Sequence, residues 1–365
     1  MSCSFLFMCG GYYKYDKGYL PDFPDHDKFT GQIVHPQHWP ENLNYAGKRV
    51  IIIGSGATAV TLLPNMAKTA AHVTMLQRSP TYYVSRPEID KTANALRKFL
   101  PASWAYMIPR WRNILLLRFF FGLARKKPQK TAERLIKRVA GLLPKDYDVK
   151  THFTPSYNPW DQRLCLVPDA DMFNAISEGK ASVVTDHIES FTAKGIKLKS
   201  GQELEADIIV TATGLHVQML GGAEITVDGA PVDPGKTFAY EGMMLSNVPN
   251  LAFVFGYTNA SWTLRADLVC EWVTRVLNKM DEKGTSIVTA RPADPNMKAD
   301  PMMDFSSGYV LRALSATPKQ GPQAPWRQNQ DYLADLKILR KAPIEDDELV
   351  FTKAGTAAKL ARAAQ

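Results

Sequence analysis

The run Val50-Ile51-Ile52-Ile53-Gly54-Ser55-Gly56-Ala57-Thr58-Ala59 constrains this chain more than any other stretch of it. Four apolar residues lead into a glycine turn of the form G-x-G-x-x-A, and a helical pattern follows. In such a strand–turn–helix the first glycine makes the tight turn and the second lets the backbone approach a pyrophosphate. A small residue in the third position, here Ala59, lets helix and strand pack closely. The start of the helix then offers unpaired N–H groups and a positive dipole end to phosphate. Gly54, Ser55, Gly56, Ala57 and Thr58 are therefore the candidate dinucleotide contacts. A second apolar strand, His72 to Leu76, follows at the distance that a right-handed parallel crossover needs. The fold class is α/β, with a Rossmann-like dinucleotide-binding domain. Pro64 falls inside the helical stretch and is expected to bend or interrupt it.

Past the second strand comes Arg78-Ser79-Pro80. A site for NAD usually carries Asp or Glu near this point, to bond the ribose 2′-hydroxyl. Arg78 suits the 2′-phosphate of NADP instead, and Ser79 adds a hydroxyl. A solvated surface arginine is the plain alternative. Residues 88–143 are helical in pattern, with Trp, Leu and Phe among Arg and Lys. A hairpin is expected over Phe191 to Ala206 and a buried strand over Asp207 to Thr213, ended by Gly214. Near the start, Phe5 to Cys9 reads as a strand; later, Asn250 to Gly256 reads as another. Leu264, Leu268, Trp272, Val276 and Met280 then recur at i+4 steps, one apolar stripe of a long helix.

Charge is uneven. The chain carries a net +8, yet residues 91–150 alone hold 15 Lys or Arg against the acids Glu133, Asp146 and Asp148. The basic character belongs to one segment, which argues against a nucleic-acid-binding protein. Cys3, Cys9, Cys165 and Cys270 are scattered, with no CxxC pair, as in a reducing compartment. No basic segment precedes the short apolar run near the N-terminus, so a secretory leader is not expected. The longest apolar stretch, Ile114 to Ala124, is too short for a membrane span and contains Arg118. A cytoplasmic location follows as the expectation. Segment 91–150 has two readings. One is peripheral attachment to anionic membrane through Trp104, Trp111 and Phe119 to Phe121. The other is an amphipathic insertion packed on the nucleotide-binding domain, with its charges in water. His35 and His38 have a metal-compatible spacing, but no second ligand cluster accompanies them and no metal is expected.

Phe29-Thr30-Gly31-Gln32-Ile33-Val34-His35-Pro36-Gln37-His38-Trp39-Pro40 resembles the fingerprint F-x-G-x-x-x-H-x-x-x-W-P of the Baeyer–Villiger flavin monooxygenases. Phe29, Gly31, His35, Trp39 and Pro40 carry the match, just ahead of the nucleotide-binding strand as in that family. Asp207-Ile208-Ile209-Val210-Thr211-Ala212-Thr213-Gly214 resembles the strand that closes the family's NADPH domain. Asn158-Pro159-Trp160-Asp161-Gln162-Arg163 lies where the family carries its active-site arginine, with Gln162 where many members have Lys.

The resemblance implies an NADPH- and FAD-dependent monooxygenase that inserts one oxygen of O₂ beside a ketone carbonyl, giving an ester or lactone. Oxygenation of sulfur or nitrogen nucleophiles is the neighbouring possibility. Arg163 is the implied catalytic residue, because a rigid, always-charged guanidinium suits the task of holding an anion. An ion pair with a neighbour such as Asp161 is its plainer role. Thr213, Gly214, Asn259 and Ser261 are implied cofactor contacts, although Ser261 could serve only as a helix N-cap. The family has two dinucleotide fingerprints and this sequence has one, the second by context. The expected domains are a remnant of the FAD domain with the fingerprint at 1–46, the NADPH domain at 47–214 with a helical insertion at about 88–150, and the C-terminal part of the FAD domain at 215–365. An N-terminal truncation is expected on the same ground, and a non-catalytic NADP-binding fragment stays open as an alternative.

Overall fold

The computed structural model describes residues 1–303 and 306–354. It divides into two compact units, one formed by Tyr15–His216 and the other by Met1–Lys14 together with the chain from Val217 onward.

The first unit is built on a five-stranded parallel sheet. Its spatial order is Gln32–Val34, Ile208–Val210, Arg49–Ile53, His72–Gln77 and Ala181–Thr185. Both faces of this sheet are covered, which is why its strands read as unbroken apolar runs. Alternation sorts the side chains. Val50, Ile52, Val73, Met75, Ile208 and Val210 share a core with Ala59, Val60 and Leu63 of the helix Ala57–Met66 and with Met172 and Phe173 of the helix Asp171–Ser177. Ile51, Ile53, Leu76 and Ile209 face the other way, against Phe191, Ile196 and Leu198. Those last three lie on a three-stranded antiparallel sheet, Ile188–Thr192, Gly195–Leu198 and Glu203–Glu205. The expected hairpin therefore has one strand more, and Lys199-Ser200-Gly201 turns the second strand into the third.

Pro64 does not interrupt its helix. It is buried, and the helix ends two residues later at Met66, so few backbone bonds lie beyond the missing N–H. The insertion folds as three helices, Lys91–Phe99, Ala102–Lys126 and Pro128–Ala140. Asp90 caps the first of them and pairs with Arg112 of the second, while Val139 of the third enters the main core.

The expected boundary at residue 46 falls inside this unit. The segment that holds the fingerprint contributes an edge strand to the sheet, and Asp207 fixes it there. The Asp207 carbonyl accepts from Gln32 N at 3.2 Å, and its carboxylate accepts from Arg49 N at 2.8 Å.

In the second unit the strand Leu6–Met8 pairs in parallel with Leu251–Phe253. A hairpin, Ile225–Val227 with Ala230–Val232, turns through Asp228 and Gly229, both with positive φ. The helix Trp262–Lys283 buries the whole stripe Leu264, Leu268, Trp272, Val276 and Met280, and it packs on the helix Tyr332–Lys341.

Candidate functional site

The glycine turn has the geometry its sequence demands. Gly54 sits at φ +130° and its N–H donates to Leu76 O at 2.8 Å. A Cβ there would stand 2.4 Å from Ala212 O, so any other residue would meet both strain and a backbone clash. Gly56 is the N-cap of the helix Ala57–Met66, and no side chain caps that end. The first-turn N–H groups of Ala57 and Thr58, both exposed, are thus left for an incoming phosphate. Arg78 and Ser79 are exposed at the end of the adjacent strand, and Ser55 Oγ reaches Ser79 O at 3.4 Å. The structure therefore brings Gly54 to Thr58, Arg78 and Ser79 together at the carboxyl end of the parallel sheet. This donor set fits a dinucleotide with an extra phosphate on its ribose.

Two further segments converge on the same end of the sheet. Thr213 Oγ1 donates to Tyr19 O at 2.5 Å, and Tyr19 N donates to Gly214 O at 3.0 Å. The fingerprint holds the same stretch of chain. Gln37 Nε2 donates to Tyr15 O at 2.7 Å, and the His38 ring lies 2.9 Å from Asp16 O. His35 Nδ1 accepts from Gln37 N, which fixes the turn Pro36–His38. Burial lowers the pKa of the His35 imidazole, and the Gly214 backbone opposes that shift. Phe29 is buried under the antiparallel sheet, Gly31 lies against Asp207 O, and Trp39 packs on the main core with Pro40 half-buried beside it. Tyr15, Asp16 and Tyr19 carried no signal in the sequence, because what they offer is backbone.

Arg163 is exposed, on the loop that leads into the strand Cys165–Pro168. Two residues on, Cys165 Sγ lies 3.7 Å from Ser55 O in the glycine turn. The loop thus starts a strand that abuts the nucleotide turn. The insertion steadies it from the other side. Phe121 meets Trp160 edge-on at 5.8 Å, and Arg125 Nη1 donates to Asp161 Oδ1 at 2.7 Å. Asp161, named above as a neighbour for Arg163, is thereby tied to Arg125. Burial pushes the Cys165 thiol up to about 11.

Asn259 and Ser261 belong to the second unit. Asn259 Nδ2 donates to Gln330 O at 2.8 Å, and Thr258 N donates to Gln330 Oε1 at 3.0 Å. Ser261 occupies the N-cap position of the helix Trp262–Lys283, but its hydroxyl pairs with Thr263 Oγ1 and caps nothing. The first turn of that helix is left open to another acceptor. Behind the loop lies a buried polar cluster. Arg265 and Asp335, 0% and 1% exposed, form an ion pair, and Tyr257 OH donates to Asp335 Oδ2 at 2.7 Å. Arg265 also donates to Glu241 O, and Gln328 Nε2 donates to Gly256 O at 3.3 Å. Sequence reasoning missed this cluster, since its partners lie far apart along the chain and follow no motif.

Comparison with known proteins decides the family. The model of the flavin-binding monooxygenase-like family matches residues 4–281. The chain belongs to that family. It stands with the flavin-dependent monooxygenases, a class of oxidoreductase. It is 53% identical to the FAD-containing monooxygenase EthA of Mycobacterium tuberculosis over 97% of its own length and 72% of that protein. Identity to a probable FAD-binding monooxygenase, AlmA, of Acinetobacter is 52%, over 97% of this chain and 71% of the relative. Among solved structures, an oxidised steroid monooxygenase bound to NADP superposes with a TM-score of 0.69 at 17% identity, covering 96% of this chain and 75% of the other. OTEMO in complex with FAD and NADP gives 0.61 at 20% identity. Against it the match covers 80% of this chain, and the chain spans 63% of that protein. Likeness at these identities speaks for the fold.

Proposed function

We propose that this chain is an NADPH- and FAD-dependent monooxygenase of Baeyer–Villiger type, which places one oxygen of O₂ next to the carbonyl carbon of a ketone. The observation that carries the reading is the convergence of the fingerprint, the glycine turn and the Arg163 loop at the carboxyl end of one parallel sheet.

The chain's own residues have separable tasks. Gly54 to Thr58 would bind the NADPH pyrophosphate through backbone N–H groups, and Arg78 with Ser79 would hold the 2′-phosphate. The open first turn of the helix after Ser261, with Asn259 held by Gln330, would receive the polar edge of the flavin ring. Bound flavin supplies the redox and oxygen chemistry, and the protein positions it. Arg163 would provide a positive charge where negative charge develops on the attacked carbonyl oxygen. Losing such a charge costs about a hundredfold or more in turnover.

A second reading, an NADP-binding fragment without catalysis, is favoured by one specific observation: the sequence holds a single G-x-G-x-x-A turn. One experiment separates the readings. The purified chain is reconstituted with FAD and desalted, and its visible flavin band is measured. Ketone- and sulfide-dependent NADPH oxidation is then followed, with product analysis. A retained band, ester from ketone, and loss of ester in Arg163→Ala support the proposal. A colourless protein that still binds NADPH supports the fragment. Sulfoxide without ester moves the activity to soft nucleophiles.

A further inference from the structure

We propose that the exposed face of the long insertion helix, Ala102–Lys126, docks on an anionic lipid surface and lies in its plane. The helix exposes apolar side chains on more than one face, Tyr106, Met107, Leu116 and Phe120 among them. Ala105, Pro109, Ile114 and Ala124 are buried. Trp104, Ile108, Leu115 and Phe119 advance in steps of four, seven and four residues, so they form one stripe, and all four are exposed. Trp104 is 64% exposed and Phe119 63%, large values for aromatic side chains in a folded chain. At the end of the preceding helix Phe99 is 83% exposed, which extends the apolar surface.

The rim of this surface names its partner. From Lys91 to Thr131 the sequence has Lys and Arg but neither Asp nor Glu. Arg97, Lys98, Lys126, Lys127 and Lys130 are exposed there. Asp90, which pairs with Arg112, and Asp161, which pairs with Arg125, both come from outside it. A second copy of the same face would bring a mainly cationic rim against another, an arrangement that like-charge repulsion disfavours. Acyl chains beneath anionic headgroups match both features, because the apolar stripe enters the interface while the basic side chains reach phosphate. Among the described residues no helix is long and apolar enough to cross a membrane, so attachment is parallel to the surface.

The test is co-sedimentation of the full chain with large vesicles, one set of phosphatidylcholine alone and one with added phosphatidylglycerol, at low and high salt. Binding to the anionic vesicles at low salt is expected, with a blue shift of tryptophan emission. Binding should fall at least about tenfold in high salt or on neutral vesicles. Trp104→Ser with Phe119→Ser should weaken it about tenfold or more. Lys126→Gln and Lys130→Gln should each weaken it about fivefold and flatten the salt dependence. All four side chains are exposed, so the melting curves of the variants should match the parent. Three results would overturn the proposal. One is a folded chain that ignores both vesicle sets. Another is equal binding to both sets that the variants leave unchanged. The last is a concentration-dependent dimer that Trp104→Ser with Phe119→Ser abolishes, since a second copy would then cover the face.

Discussion

Replacing Asp335 by alanine removes one half of a fully buried ion pair and leaves the other half stranded. Arg265 would be left with the carbonyl of Glu241 as its acceptor among the described residues, and Tyr257 OH would lose its carboxylate. Breaking a buried pair on one side costs about 3–5 kcal/mol, most of it the uncompensated charge. The orphaned hydroxyl adds about 1–3 kcal/mol. Two compact units make a single unfolding midpoint ambiguous. Hydrogen exchange read peptide by peptide avoids that difficulty. Amide protection across the helix Trp262–Lys283 should drop by at least about a hundredfold in Asp335→Ala, at roughly tenfold per 1.4 kcal/mol. The strand Arg49–Ile53, in the other unit, serves as the internal control. The double variant Arg265→Met with Asp335→Leu should recover most of the loss, because an apolar pair of similar volume carries no desolvation penalty. The reasoning is refuted if the single variant costs less than about tenfold in protection, or if the double variant is as damaged as the single one.

The remaining expectations concern the nucleotide turn and one buried acid. Arg78→Gln should raise the KM for NADPH about tenfold or more while leaving NADH kinetics nearly unchanged; an equal effect on both cofactors would separate Arg78 from the 2′-phosphate. Gly54→Ala should abolish NADPH binding in calorimetry and lower stability, since the new Cβ falls 2.4 Å from a backbone oxygen at φ +130°. Burial raises the Glu241 carboxyl from 4.5 to about 7, so the folded state holds a proton there that the unfolded state releases at lower pH. Its contribution is then greatest below about pH 4.5 and is lost as pH rises toward and through about 7. Glu241→Gln should accordingly match the parent in stability at pH 5 and exceed it at pH 8 by about 2–3 kcal/mol, and parallel stability–pH curves would count against the assignment.

What the sequence made legible is what is local. The strand–turn–helix at 50–66 was readable because each role in it is set by residue type within a few positions, and the stripe from Leu264 to Met280 because one helix face repeats. The fingerprint at 29–40 was visible as a pattern. Its attachment to the sheet was not, since it depends on Asp207 and on backbone carbonyls of residues 15–19 that any residue type could supply. The Arg265–Asp335 pair joins residues on two helices and follows no spacing rule. Arg163 was located by analogy, and only the structure shows that its loop leans on Phe121 and Arg125 of the insertion.

The thiol behind the glycine turn gives this protein a built-in gauge. Cys165 is buried against Ser55 O, and its raised pKa keeps it protonated and slow to react at neutral pH. Cys3, Cys9 and Cys270 are exposed, so a labelling reagent consumes them first. The slow fourth equivalent then clocks how often the turn breathes open. A dinucleotide seated on Gly54 to Thr58 should lengthen that clock, which would let occupancy be followed by mass spectrometry without any turnover at all.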